Sequence, residues 1–151
     1  MNQSIGFAPV AALMFMAGVG VPIVAALNAG LGRDLNSPTG ATWALFAVGF
    51  AISGVIALSV GLPPRAAYLA ARPYQYGAVI FMVVYILSIT WSAPRIGLGN
   101  AIFFVLVGQI AAASAIDHFG LLGAAPSAFT PKRALGVVIM AIGLYFARKP
   151  G

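Results

Sequence analysis

Residues 93–123 read "APRIGLGNAIFFVLVGQIAAASAIDHFGLLG". Between Arg95 and Asp117 no residue is charged, a stretch of about twenty residues that, as an α-helix, matches the roughly 30 Å hydrocarbon layer of a bilayer. Lipid offers no partner to an open backbone, so the stretch is read as a transmembrane helix. Polar groups are nevertheless kept in it or beside it: Arg95, Asn100, Gln109, Asp117 and His118. Such groups are costly in a span, so each requires a structural or a functional reason.

Working outward, the same pattern repeats along the chain. Of 151 residues, 62% are apolar and 7% charged, and the mean hydropathy is +1.02, outside the range of a water-soluble domain. Five apolar runs stand between the charges, at about 5–31, 39–62, 73–93, 97–117 and 133–147. Gly32 through Pro38 closes the first, Gly61 through Arg65 the second, Pro94-Arg95 the third, and Gly120 through Pro131 the fourth. The connections are short, so neighbouring helices are antiparallel and residues 1–151 are expected to form a single transmembrane domain. The first run is longer than a signal core and has no basic flank before it, so it is expected to remain in the mature protein.

The fold class expected is therefore an all-α integral membrane protein with five transmembrane helices. Basic residues occur singly or in pairs at the helix ends, which suits headgroup anchoring and not nucleic acid. There is no Cys, no Glu and only one His, and the two carboxylates, Asp34 and Asp117, stand at span ends. No metal or nucleophile constellation is available, so neither an enzyme nor a bound cofactor is expected. The absence of a mid-span carboxylate also argues against simple exchange of protons for cations.

Five crossings place Arg65, Arg72, Lys132 and Arg133 on one side, and Arg33, Arg95, Arg148 and Lys149 on the other. Each side receives four, and the Lys/Arg bias that normally orients a membrane protein vanishes. Either the first helix sets the orientation, or the chain inserts both ways and dimerises antiparallel. An odd number of helices suits the second reading, because two inverted copies give a ten-helix, inverted-repeat assembly. An internal likeness of Gly40–Gly49 to Gly99–Gly108 is confined to the glycines and a Val-Gly pair.

Within the spans, Pro22 follows Gly18 and Gly20, and serves either as a packing kink or as a hinge. Asn28 follows a turn and a half later. Tyr85, Ser88 and Ser92 share one face with Trp91 adjacent, so they line a cavity or, for Trp91, join an interfacial aromatic belt. Gly97, Ala101, Gly108, Ala111 and Ala115 form a small-residue face suited to close helix packing, and Gln109 beside it reads either as a solute-binding amide or as an interhelical hydrogen bond. Arg95 either snorkels or points inward. Asp117 stands at the negative end of its helix and needs a partner, His118 or a basic residue of the same loop layer, as a clamp or as a titrating gate.

The quoted segment, together with "LNAGLGRDLNSPTGA" (residues 27–41) and "PKRALGVVIMAIG" (residues 131–143), resembles the YdcZ-like family of five-helix proteins in the drug/metabolite transporter superfamily. The likeness covers nearly the whole chain and includes Pro22, Asn28, Leu31, Gly32, Pro94, Arg95, Gly97, Gly108, Gln109, Asp117, His118, Phe119 and Gly120. It departs at Val24, where the family often carries Gln, and at Gly77-Ala78, where a Gly-Gly pair is usual. The resemblance implies a small transporter of the bacterial inner membrane, acting as a homodimer or with a related five-helix partner and similar in plan to the small multidrug resistance proteins.

The expected function is thus efflux of a small organic metabolite or organic cation by alternating access in a dual-topology antiparallel homodimer. Asn28, Tyr85, Ser88, Trp91 and Gln109 are the candidate solute-binding residues. Pro22 is the candidate hinge, and Arg95, Asn100, Asp117 and His118 are the candidate gate. A non-transporting membrane scaffold and a lipid flippase are the alternatives.

Overall fold

The computed structural model describes residues 6–147; the first residue of the first apolar run, and Arg148 and Lys149 of the charge balance, lie outside the described residues. Among those residues there are helices and connecting turns and no strand. The helices are α1 (Phe7–Asp34), α2 (Pro38–Val60), α3 (Arg65–Ala70), α4 (Pro73–Tyr76), α5 (Ala78–Ile96), α6 (Leu98–Phe119) and α7 (Pro131–Ala147). Four stretches are long and apolar enough to cross a membrane: α1, α2, α4 with α5, and α6. At 17 residues, α7 stands at the short end of the crossing range.

Several boundaries differ from the sequence reading, each for a local reason. The first helix continues through Gly32 and Arg33 to Asp34, because nothing there forbids helix; Asn36 at φ 47 turns the chain instead. Pro38 then starts α2 at its first position, where a missing N–H costs nothing, and Ser37 caps it by accepting from the Gly40 N–H at 3.0 Å. Pro94 does not end α5. It sits in the last turn, and the helix runs on to Ile96 until Gly97, at φ 86, breaks it.

The chain forms two compact units, Met1–Pro94 and Arg95–Gly151. In the first, the packing is concentrated at one end. Ala25, Asn28, Ala29 and Gly32 of α1 are buried at i, i+3, i+4 and i+7, and Ile86, Ile89, Thr90 and Ala93 of α5 repeat that spacing, with Ala41 and Thr42 of α2 beside them. Small residues let these helices approach closely. A Cβ on Gly32 would stand 2.9 Å from Thr90 Cγ2 and 3.8 Å from Ala41 Cβ. Beyond this end, residues 7–24 of α1 and 43–60 of α2 contribute no buried residue.

Pro22 lies one turn before Ala25, where the packed half of α1 begins. It withholds the hydrogen bond that the Gly18 carbonyl would otherwise accept. The missing bond thus falls between the packed and unpacked halves of α1.

In the second unit α7 lies alongside α6. Val137 shares a groove of about 450 Å³ with Ala111, Ser114, Ala115 and His118, and Leu144 and Ala147 border Gly99, Ile102 and Leu106 near the other end. The two helices are antiparallel, joined by a loop that Gly120 turns at φ 59.

Candidate functional site

The polar residues of the spans are dealt with in three different ways. Asn28 is buried and donates from Nδ2 to Thr90 Oγ1 at 2.6 Å, and the Thr90 hydroxyl donates in turn to the Ile86 carbonyl at 2.7 Å. The amide nitrogen thus finds its partner across the helix interface, and the hydroxyl that accepts from it spends its own proton on a helix carbonyl. Asn28 thus stands in the packed end of the first unit, where it also borders a groove of about 280 Å³ between α1 and α2, lined otherwise by apolar residues such as Leu27, Leu31 and Leu45.

A two-part cleft lies between α2 and α5 in that unit. Its first part, about 550 Å³, is lined by Pro38, Thr39, Leu87, Ser88, Trp91 and Ser92. Its second, about 350 Å³, shares Thr39 and Leu87 and adds Trp43 and Phe46. Trp43 is 73% exposed and Trp91 53%. Indole faces, hydroxyls and aliphatic side chains make up its walls, and no lining residue is charged. Such a surface attracts flat organic solutes, and cations by their interaction with the aromatic faces.

Of the sequence candidates, the cleft brings Ser88 and Trp91 together. Tyr85 is half-buried on α5 and outside its lining, and Gln109 belongs to the other unit. Trp43, Thr39 and Phe46 were missed as candidates. Their spacing along α2 was the available signal, since 39, 43 and 46 fall on one side of a helix.

The end of α6 is a clamp. Asp117 forms an ion pair with Arg133 of α7, and the Arg133 Nη1 donates to Ser127 Oγ at 3.1 Å. Ser127 N–H donates to the Asp117 carbonyl at 2.8 Å, and Phe129 N–H donates to His118 Nδ1 at 3.2 Å. The partner required by Asp117 is therefore a basic residue at the start of the next helix, and His118 holds the loop.

Arg95 is not brought to this clamp. α6 has 22 residues, about 33 Å, and Arg95 precedes its start while Asp117 and His118 stand at its end. An end gate of the three within one chain is thus ruled out by the length of the helix between them. Asn100 stands at the Arg95 end, where Nδ2 donates to the Ile96 carbonyl at 2.9 Å while its Oδ1 is buried without a partner among the described residues. Gln109 lies exposed at the middle of α6, and its side chain makes no hydrogen bond among the described residues.

Neither a curated protein nor a solved structure matches the chain significantly. A family model does, over residues 9–146: that of the YdcZ family of the DMT group, described as "Putative inner membrane exporter, YdcZ". Spanning nearly the whole chain and joined to the membrane-length apolar helices, that match identifies the protein as a member of the YdcZ family and a multi-pass protein of the inner membrane.

Proposed function

We propose that the chain is one subunit of an exporter of small organic solutes, and that the α2–α5 cleft is where the solute binds. The observation that carries this reading is the pair of exposed indoles, Trp43 and Trp91, on the walls of an uncharged, hydroxyl-bearing cleft. Because no carboxylate lines the cleft, a cation is held by aromatic faces alone, and a neutral flat solute fits as well. Thr39, Ser88 and Ser92 supply hydroxyls that orient it. Tyr85 stands one turn further along the Ser88 and Ser92 face and flanks the route.

The subunit works by alternating access as a single transmembrane domain, in an antiparallel homodimer. α7 is its fifth crossing: it follows α6 back from Asp117 to the level of Gly99 and Ile102, so it covers the depth that α6 covers. Pro22 is the hinge about which the unpacked half of α1 moves while Asn28 and Thr90 hold the other half fixed. In an antiparallel pair, Arg95 and Asn100 of one copy share a membrane face with Asp117 and His118 of the other, and the gate is built between subunits.

The test is binding of a planar aromatic cation, N-methylquinolinium, followed by indole fluorescence of the purified protein. Trp43→Ala and Trp91→Ala are each expected to weaken binding roughly five- to thirtyfold, with Phe at either position recovering part of the loss. Unchanged affinity in both alanine variants would place the solute elsewhere. Flux of the same cation in proteoliposomes separates an exporter from a membrane scaffold.

A further inference from the structure

Gln109 is a polar side chain that neither the cleft nor the clamp uses. It lies at the middle of α6, exposed, with no hydrogen bond among the described residues, and one turn on along its own side stand only the small residues Ala112 and Ala113. A primary amide carries two N–H donors and an acceptor oxygen, and leaving all of them facing hydrocarbon is costly. Two alanines beside it leave room for another helix to approach closely.

We infer that Gln109 is covered by Gln109 of a second, oppositely inserted copy, the two amides exchanging a reciprocal pair of N–H···O hydrogen bonds across the two-fold axis of the dimer. The inference rests on the antiparallel reading given above, and three observations select a second copy as the occupant. The first is depth. A two-fold axis in the membrane plane carries each depth to its mirror image, so only a residue near mid-span meets itself. Of the polar side chains on α6, Asn100 and Asp117 stand towards opposite ends and Gln109 at the centre.

The second is chemistry. The amide is donor and acceptor at once and is complementary to its own copy, which neither a carboxylate nor a guanidinium is. The third is charge: with four Lys/Arg on each side of five crossings, nothing in the loops opposes insertion of the second copy upside down.

The chain has no cysteine, so single cysteines can be placed at will. Val105, Gln109 and Ala113 are four residues apart, share one side of α6, and none of them borders α7 in the grooves described above. Mild oxidation of membranes is expected to give a disulfide-linked dimer from Gln109→Cys alone. Val105→Cys and Ala113→Cys are expected to stay monomeric when expressed singly and to cross-link with one another when co-expressed, because they are mirror positions about residue 109. Adding Gln109→Leu to that co-expressed pair should lower its yield roughly three- to tenfold.

Three results overturn the inference, and they differ in what else they remove. Cross-linking of the 105 and 113 cysteines at a yield indifferent to Gln109→Leu, with none at 109, leaves the antiparallel dimer standing and dismisses the amide pair. Self-linking of Val105→Cys shows parallel copies and dismisses both. No cross-link at any position means that Gln109 is covered within its own chain.

Discussion

Thr90 is the residue on which the first unit closes. Its hydroxyl accepts from Asn28 and donates to the Ile86 carbonyl, while its methyl fills the space that glycine leaves at position 32. The two halves of the side chain predict different losses. Gly32→Ala pushes a Cβ to 2.9 Å from Thr90 Cγ2 and should destabilise the protein by about 1–3 kcal/mol, read as a lower Tm in detergent. Adding Thr90→Ser removes that methyl, keeps the hydroxyl and should restore most of the loss; failure to restore it would show that α1 and α5 are not held by this contact. Thr90→Val keeps the shape and abandons the Asn28 amide, at about 1–2 kcal/mol. Asn28 was legible in the sequence as a polar residue that needed a reason. Its reason was not, because the partner lies 62 residues away and only helix packing brings the two together.

At the scale of elements, the end of α6 and the start of α7 are held by charge and by backbone in parallel. That Asp117 would need a cation follows from an acid at the negative end of a helix. That the cation is Arg133 does not follow, since it depends on a loop whose direction is set by the left-handed turn at Gly120, where a side chain would meet Pro126 at 2.9 Å. Both members of the pair are about one-third exposed, so its net worth is that of a screened surface pair. Asp117→Asn and Arg133→Gln should therefore each raise the rate of proteolysis between residues 121 and 130 only about two- to fivefold, and the double variant should be no faster than the worse single one. His118→Leu, which removes the acceptor for the Phe129 N–H, should add to that effect, whereas His118→Asn, with an oxygen in the place of Nδ1, should not. A loop indifferent to all four changes would not be held by this clamp. Helix ends show the same division between local and distant causes. The apolar runs locate the spans, but whether Pro94 or Gly97 ends α5 turns on one position in the last turn, where proline is tolerated and a positive φ is not helical.

For the whole molecule, the crossing of α7 decides how the chain sits in the membrane. If α7 crosses, four basic residues lie on each side. If it does not, Arg65, Arg72, Lys132, Arg133, Arg148 and Lys149 stand together against Arg33 and Arg95, and six against two fixes a single orientation. The sequence reading counts 133–147 as the fifth crossing although Pro131–Ala147 is short for a span, and the packing of α7 along α6 from Arg133 at Asp117 to Ala147 near Gly99 and Ile102 favours that reading. A single cysteine at Gly151, labelled in intact cells with a membrane-impermeant maleimide, should then react to about half and reach completion on lysis. Because balanced charge is a poised state, small changes should tip it in opposite directions. Arg72→Gln with Lys132→Gln leaves four basic residues on the C-terminal side against two, draws that side to the cytoplasm, and should take labelling in intact cells towards none. Arg148→Gln with Lys149→Gln reverses the bias and should take labelling towards completion. A chain whose C-terminus labels all or none, and ignores both pairs of changes, has its orientation set by something stronger than loop charge; an antiparallel homodimer would then be impossible, and the oppositely inserted partner would have to be a different chain.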